Sequence, residues 1–155
     1  VDVMLGLGIG EDFQTDLGID LLRIVEDPTH LSRRTFEELI DKVVNVFPNF
    51  QIVATTLRVV RSASRNDWGA VAWGGGSFVT SYQRQDLEIL DRIGGGDSFA
   101  SGLIYGLLMG KTLQQAIDLG AAHGALTMTT PGDTSMVTRE EVERLAGGDT
   151  GRVRR

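Results

Sequence analysis

The stretch Asp91-Arg92-Ile93-Gly94-Gly95-Gly96-Asp97-Ser98-Phe99-Ala100-Ser101-Gly102 decides how this chain is read. It follows a short apolar run, Leu87–Leu90, that reads as a strand, and it leads into a helix expected to reach Met109. Three successive glycines between a strand and a helix let the backbone turn tightly and let several N–H groups converge on one point. The helix start adds its partial positive charge to that point. Asp97 falls in the first turn, where a carboxylate can take the proton of a hydroxyl while the amides hold phosphate charge. The plainer alternative is a glycine turn followed by an N-capping aspartate.

The segments that follow bear on that choice. Ser98, Gly102, Gly106 and Gly110 form a small-residue ridge at spacing four, beside an apolar ridge of Phe99, Leu103 and Leu107. A second helix, expected over Leu113–Thr127, offers Ala116, Gly120, Ala121, Gly124 and Ala125 as a matching face. Small ridges permit close backbone approach, so the two helices are expected to pack tightly. A helix start held in such a core leaves orphan N–H groups, and an anionic ligand is a partner for them.

Working outward toward the N-terminus, Gly69–Trp73 and Ser77–Tyr82 read as strands joined by a hairpin at Gly74-Gly75-Gly76. Arg58–Asp67 reads as a polar, basic loop. Its Arg58, Arg61 and Arg65 either attract phosphates or an acidic substrate or simply face solvent. Phe50–Thr55 is a second apolar strand. Ser32 to about Val46 is a helix with Phe36, Leu39, Ile40, Val43, Val44 and Phe47 at near-3.6 spacing. A turn at Asp27-Pro28-Thr29, a short helical stretch from Glu11 to Gly18 and an opening strand, Val1–Leu5, complete that end. Strand, helix, strand recur, which predicts an α/β fold with a mostly parallel sheet. Gly6-Leu7-Gly8-Ile9-Gly10-Glu11 approaches a dinucleotide fingerprint, but Glu11 stands where the third glycine belongs, so it reads as a strand-to-helix connection. Toward the C-terminus, Thr130–Asp133 is a turn, Thr138–Glu141 opens a last helix with a capping-box pattern, and Gly147-Gly148 closes it.

Composition sets the outer bounds. The 155 residues suit one domain, and 41% hydrophobic with 23% charged residues excludes a disordered chain. No apolar run nears the roughly 18 residues of a membrane span, and no secretion signal is visible, so a cytoplasmic location without membrane partners is expected. The absence of cysteine removes disulfides, thiolate metal sites and a cysteine nucleophile. His30 and His123 are the only histidines, which argues against a multi-histidine metal site. A net charge of −6 argues against nonspecific nucleic-acid binding. Glycine is in excess, at 20 residues against about 11 for an average composition, and the surplus gathers in the clusters named above.

Residues Asp91–Gly102 resemble the second signature of the ribokinase-like (PfkB) sugar kinases, D-x-x-G-(A/G)-G-D-x-F-x-x-G. Val53–Arg58, Ala63–Ala70, His123–Thr127 and Thr130–Asp133 are similar to the 2-keto-3-deoxygluconate kinase branch of that family. Family members are about twice as long, so the resemblance implies a partial domain. Residues 1–146 would be the C-terminal, ATP-binding half of a layered α/β/α kinase, and 147–155 a flexible tail. It implies Asp97 as catalytic base, Gly94, Gly95 and Gly96 as the γ-phosphate hole, and ATP with Mg²⁺ acting on a sugar or sugar-acid hydroxyl. Thr56 and Gly69 would lie in the nucleotide-binding strand and loop. Gly120 and His123 would lie on the helix bordering adenine, or His123 would be a packed histidine. Asp91 would help hold a monovalent cation such as K⁺ with carbonyls around Ile93, Thr127, Thr130 and Gly132, or serve as a local turn residue. The family's Asn-x-x-Glu is replaced by Ile9-Gly10-Glu11-Asp12, leaving Glu11 or Asp12 as Mg²⁺ organiser. Another PfkB sugar kinase (a fructokinase or ribokinase), or a nucleotide-binding module without catalysis, stays open. A homo-oligomer is compatible with the resemblance.

Overall fold

The computed structural model describes residues 2–6 and 33–148. In chain order these form β1 (Val3–Leu5), α1 (Arg33–Val46), β2 (Ile52–Ser62), β3 (Arg65–Gly74), β4 (Ser77–Thr80), β5 (Arg84–Glu88), α2 (Gly95–Leu108), α3 (Leu113–Met128) and α4 (Arg139–Ala146). The strands are ordered β1-β2-β3-β4, with β5 paired to β3. The expected helical stretch at Glu11–Gly18, the turn at Asp27–Thr29, His30, the Gly8–Glu11 part of the glycine run and the tail from Asp149 lie outside the described residues. Two compact units emerge: Val1–Thr55 with Ala72–Phe78, and Thr56–Val71 with Val79–Arg155.

In the first unit, β1 and β2 run parallel, with Val3, Met4 and Leu5 opposite Ile52, Val53 and Ala54. Parallel neighbours need a crossover, and α1 lies within it. Leu39, Ile40 and Val43 form the buried stripe of α1. Phe47, just past its end, is partly exposed and sets its ring 5.4 Å from that of Phe50. Between β3 and β4, Gly75 and Gly76 have φ of 58° and 77°. Two consecutive left-handed residues make the primed hairpin turn whose twist matches the flanking strands.

The second unit carries the element that differs from expectation. Arg58–Asp67 is not a loop. β2 continues to Ser62, turns at Ala63-Ser64 and returns as β3. Its Arg61, Arg65 and Asp67 find partners across strands rather than forming an apolar alternation that would mark them. Arg61 Nε donates to Asp67 Oδ2 at 2.9 Å, and Arg65 Nη1 lies 2.8 Å from Asp86 Oδ2. The Arg61 guanidinium holds the Asp67 carboxyl below its usual range. Asp67 Oδ1 also accepts the Asp86 N–H at 2.9 Å, where Asp86 adopts φ 55°. β5 pairs antiparallel to β3, with Asn66 opposite Leu87, and begins three residues before the expected strand. The described sheet is therefore mixed: two-residue turns bring antiparallel neighbours into what the strand-helix-strand pattern marked as mostly parallel.

Helices α2 and α3 pack as the small-residue ridges require. A Cβ on Gly102 would lie 2.7 Å from Leu119 O, and one on Gly106 would lie 2.7 Å from Ala116 Cα. Partner numbers on α3 fall as those on α2 rise, so the helices are antiparallel. Gly110 is not part of the ridge; it lies past the helix end with φ 67° and open space around it. From Ala116 to Met128 every residue of α3 except His123 is buried. A helix without a polar face has packing on all sides. α4 completes this: Val142 joins Leu119, Ala122 and Leu126, with Tyr105, Val137 and Leu145 against them. No helix among the described residues is long and apolar enough to cross a membrane.

Candidate active site

α2 begins at Gly95, and this decides what the glycines are. Gly94 is the N-cap, while Gly95 and Gly96 are already helical and Asp97 lies in the first turn. Gly94 has φ 81°, and a side chain there would run into the Asp133 backbone carbonyl. Gly95 is buried, and a Cβ on it would come within 2.9 Å of Met128 Cγ. Gly96 and Asp97 are exposed.

The three helices of this unit start differently. Thr112 caps α3 and Thr138 caps α4, each in a full capping box with Gln115 and Glu141. No side chain caps α2. The Ser98 N–H reaches the Gly94 carbonyl at 2.9 Å, but the N–H groups of Gly95, Gly96 and Asp97 precede the first intrahelical bond and point out of the helix end. A negatively charged oxygen is the natural partner for such a triad of donors. Asp97 adds an exposed carboxylate beside them. Asp97 is not the N-cap of the plainer alternative, since that position is Gly94.

The segment leading into this turn is held from two sides. Leu90 N–H donates to Met128 O at 2.9 Å. Arg92 Nη2 donates to the carbonyls of Ser62 and Ala63 at 3.2 and 2.7 Å, fastening the β2–β3 turn to the motif. Asp91 Oδ1 accepts the Ile93 N–H at 3.0 Å, an Asx turn. That is the local turn role; Thr127 O likewise already accepts the Thr130 N–H at 3.2 Å and its hydroxyl at 2.9 Å. Among the described residues no three His, Asp or Glu come together, and Glu11 and Asp12 lie outside them.

The remaining expected residues are distributed as follows. Thr56 is half-buried on β2. Gly69 is buried on β3 under the side chain of Gln83. Beside it Trp68, also buried, donates its indole N–H to Ala121 O at 2.9 Å and lies on Gly124. Gly120 faces α2, with its Cα against Phe99. His123, one turn further along α3, helps line a cavity of about 210 Å³ with Ser101 and Gly102 of α2, Leu119 and Val142. His123 Nε2 is 2.8 Å from Ser135 Oγ. Burial holds the imidazole below its ordinary pKa, partly opposed by the Ser98 backbone. The structure thus places Gly94–Asp97 at one helix end, with Gly120 and His123 one turn apart on α3, against Phe99 and Ser98 of α2 respectively.

Because the folded form disfavours protonated His123, the unfolded chain takes up that proton first. Stability from this residue is present above the ordinary histidine value of about 6.5 and is lost as pH falls through the lowered pKa. Thermal melts from pH 7.5 to 5 are expected to fall more steeply for the wild type than for His123→Gln. Parallel slopes would contradict this.

Sequence reasoning passed over one side chain at this end, that of Thr127. It is wholly buried, with Oγ1 2.9 Å from Ser98 Oγ. The available signal was a lone hydroxyl in the last turn of an Ala/Gly/Leu-rich helix.

Residues 64–140 match the model of the pfkB family carbohydrate kinases, a span running from the β2–β3 turn to the start of α4. The chain belongs to the pfkB carbohydrate kinase family. The 2-dehydro-3-deoxygalactonokinase of Haloferax volcanii is 40% identical over 91 residues, covering 57% of this chain and 28% of that protein. The 5-dehydro-2-deoxygluconokinase of Bacillus subtilis is 33% identical over 78 residues, covering 50% of this chain and 24% of that protein. The crystal structure of the 2-dehydro-3-deoxygluconokinase of Thermotoga maritima superposes with a TM-score of 0.79 at 36% identity, over 96% of this chain and 42% of that one. This pfkB chain thus spans less than half the length of each of these relatives. Its architecture is the ribokinase-like α/β fold, represented here by part of a domain.

Proposed function

We propose that this chain is the nucleotide-side part of an ATP-dependent kinase for a dehydro-deoxy sugar acid, with 2-dehydro-3-deoxygluconate the favoured substrate. The observation that carries the reading is the start of α2: an uncapped helix end opened by a left-handed glycine, with an exposed carboxylate in its first turn. The substrate class follows the names of the relatives, all three of which act on dehydro-deoxy sugar acids.

In the proposed reaction the acceptor hydroxyl oxygen attacks the γ-phosphorus of ATP in line. A P–O bond forms to the sugar acid, the bond to the β-phosphate oxygen breaks, and ADP leaves. Asp97 takes the hydroxyl proton. The N–H groups of Gly95, Gly96 and Asp97 hold the three oxygens of the phosphoryl group as charge spreads over them. Thr56, Gly69, Gly120 and His123 are assigned to the nucleotide side, His123 through the α3 surface rather than by direct contact. Bound Mg²⁺ supplies charge neutralisation on the phosphates, and Glu11 or Asp12 is assigned to organise it. A monovalent cation beside Asp91 would have to share that carboxylate with the Ile93 N–H. The protein is read as a cytoplasmic enzyme with a small-molecule substrate.

The test is a coupled ADP-release assay of the full-length protein that carries this chain, on a panel of 2-dehydro-3-deoxy-D-gluconate, fructose and ribose, beside calorimetry with ATP. Turnover of the keto-acid is expected. Turnover of fructose or ribose without the keto-acid overturns the substrate. ATP binding without turnover of any sugar leaves a nucleotide-binding module instead.

A further inference from the structure

Two polar contacts tie α3 and the chain after it to the start of α2. In the first, Thr127 Oγ1 lies 2.9 Å from Ser98 Oγ and 3.0 Å from the carbonyl oxygen of His123, and its methyl group stands beside Gly94. Ser98 and Thr127 are both buried, at 7% and 0% exposure. Ser98 directly follows Asp97 and sends its N–H back to Gly94 O. In the second contact, His123 Nε2 meets Ser135 Oγ at 2.8 Å. Ser135 belongs to the connection between α3 and α4, whose Asp133 carbonyl abuts Gly94. With no side chain capping α2, the first turn is held within the helix only by the Ser98 N–H bond to Gly94 O, and its placement depends on neighbours.

We infer that Thr127, backed by the His123–Ser135 contact, is a positioning residue for phosphoryl transfer: its hydroxyl fixes Ser98, and so holds the first turn of α2 with Asp97 and the Gly95 and Gly96 amides aimed at one point. The inference rests on the kinase reading above. A buried hydroxyl also contributes to stability, so the distinguishing prediction concerns the division between kcat and KM and the response to a conservative change. Thr127→Val keeps the shape and removes the hydroxyl. Thr127→Ser keeps the hydroxyl and removes the methyl.

The experiment measures kcat, KM for ATP, Tm and amide exchange at Ser98 in the full-length protein that carries this chain, as wild type and both variants. Thr127→Val is expected to lower kcat about tenfold to a hundredfold, with KM for ATP within about threefold of wild type, since small misplacements at a reacting centre cost rate more than binding. Thr127→Ser is expected to restore kcat to within about threefold of wild type. The Ser98 amide should exchange faster in Thr127→Val while the middle of α2 does not change. Wild-type kcat in Thr127→Val, or a Thr127→Ser variant as slow as Thr127→Val, overturns the positioning role and leaves the kinase reading standing. Absence of phosphoryl transfer by the wild type overturns the kinase reading instead. In that event the Ser98 amide decides the remaining claim: unchanged exchange in Thr127→Val refutes the hold on the helix end.

Discussion

Asp97→Asn is expected to lower phosphoryl transfer by about 10²- to 10⁴-fold, the usual worth of a positioned general base. The amide has the shape of the carboxylate but does not take up the hydroxyl proton. ATP binding should change little or strengthen, because the substitution removes a negative charge beside the site that receives phosphate. Folding should be nearly unaffected. Asp97 is exposed, and the loss is confined to its favourable interaction with the helix start, about 0.3–1 kcal/mol. Steady-state kinetics with calorimetric ATP titration separates these effects. Undiminished turnover in the Asn variant would remove Asp97 from the mechanism.

Gly94→Ala is expected to strike both stability and ATP affinity. An L-residue at φ 81° costs roughly 1–2 kcal/mol. The new methyl group also meets the Asp133 carbonyl, a backbone atom that cannot swing aside, and such overpacking costs about 1–3 kcal/mol. The combined loss of roughly 2–5 kcal/mol corresponds to a Tm lower by about 5–15 °C for a chain of this size. The α2 start must shift to relieve the contact, so its amides no longer converge and ATP affinity falls with it. Gly96→Ala is the internal control for stability. Open space surrounds that Cα, and alanine favours a helix over glycine by about 1 kcal/mol, so its Tm should rise. Equal melting of Gly94→Ala and wild type would show that the left-handed turn is not required.

The part of the site that was legible in sequence is the part written in residue type. Glycine triplets, a following aspartate and small residues every fourth position each have one dominant physical use, and Gly94, Asp97, Gly102 and Gly106 were readable for that reason. Helix boundaries of α1 and α3 came within a residue because apolar spacing sets them. The exact start of α2 was less legible: glycine has low helix propensity, so the triplet reads as a turn, yet Gly95, buried close to Met128, is helical. The β2–β3 hairpin was hidden because Arg61, Arg65, Asp67 and Asp86 satisfy one another across strands, which looks like a solvated loop until the strands are paired. Thr127 and Ser135 were invisible as a set. Their relation to Ser98 and His123 depends on two helices and a connection meeting, and no local pattern encodes that.

The antiparallel α2–α3 pair has a further consequence for chain entropy. Only Met109–Thr112 separates the two helices, whereas Gly6–Gln51 separates the paired strands β1 and β2. Loop-closure cost grows with the logarithm of length, so the long closure costs about 2 kcal/mol more than the short one. The helix whose start would receive phosphate is therefore paired with its neighbour through a closure that surrenders little freedom, unlike the β1–β2 pair.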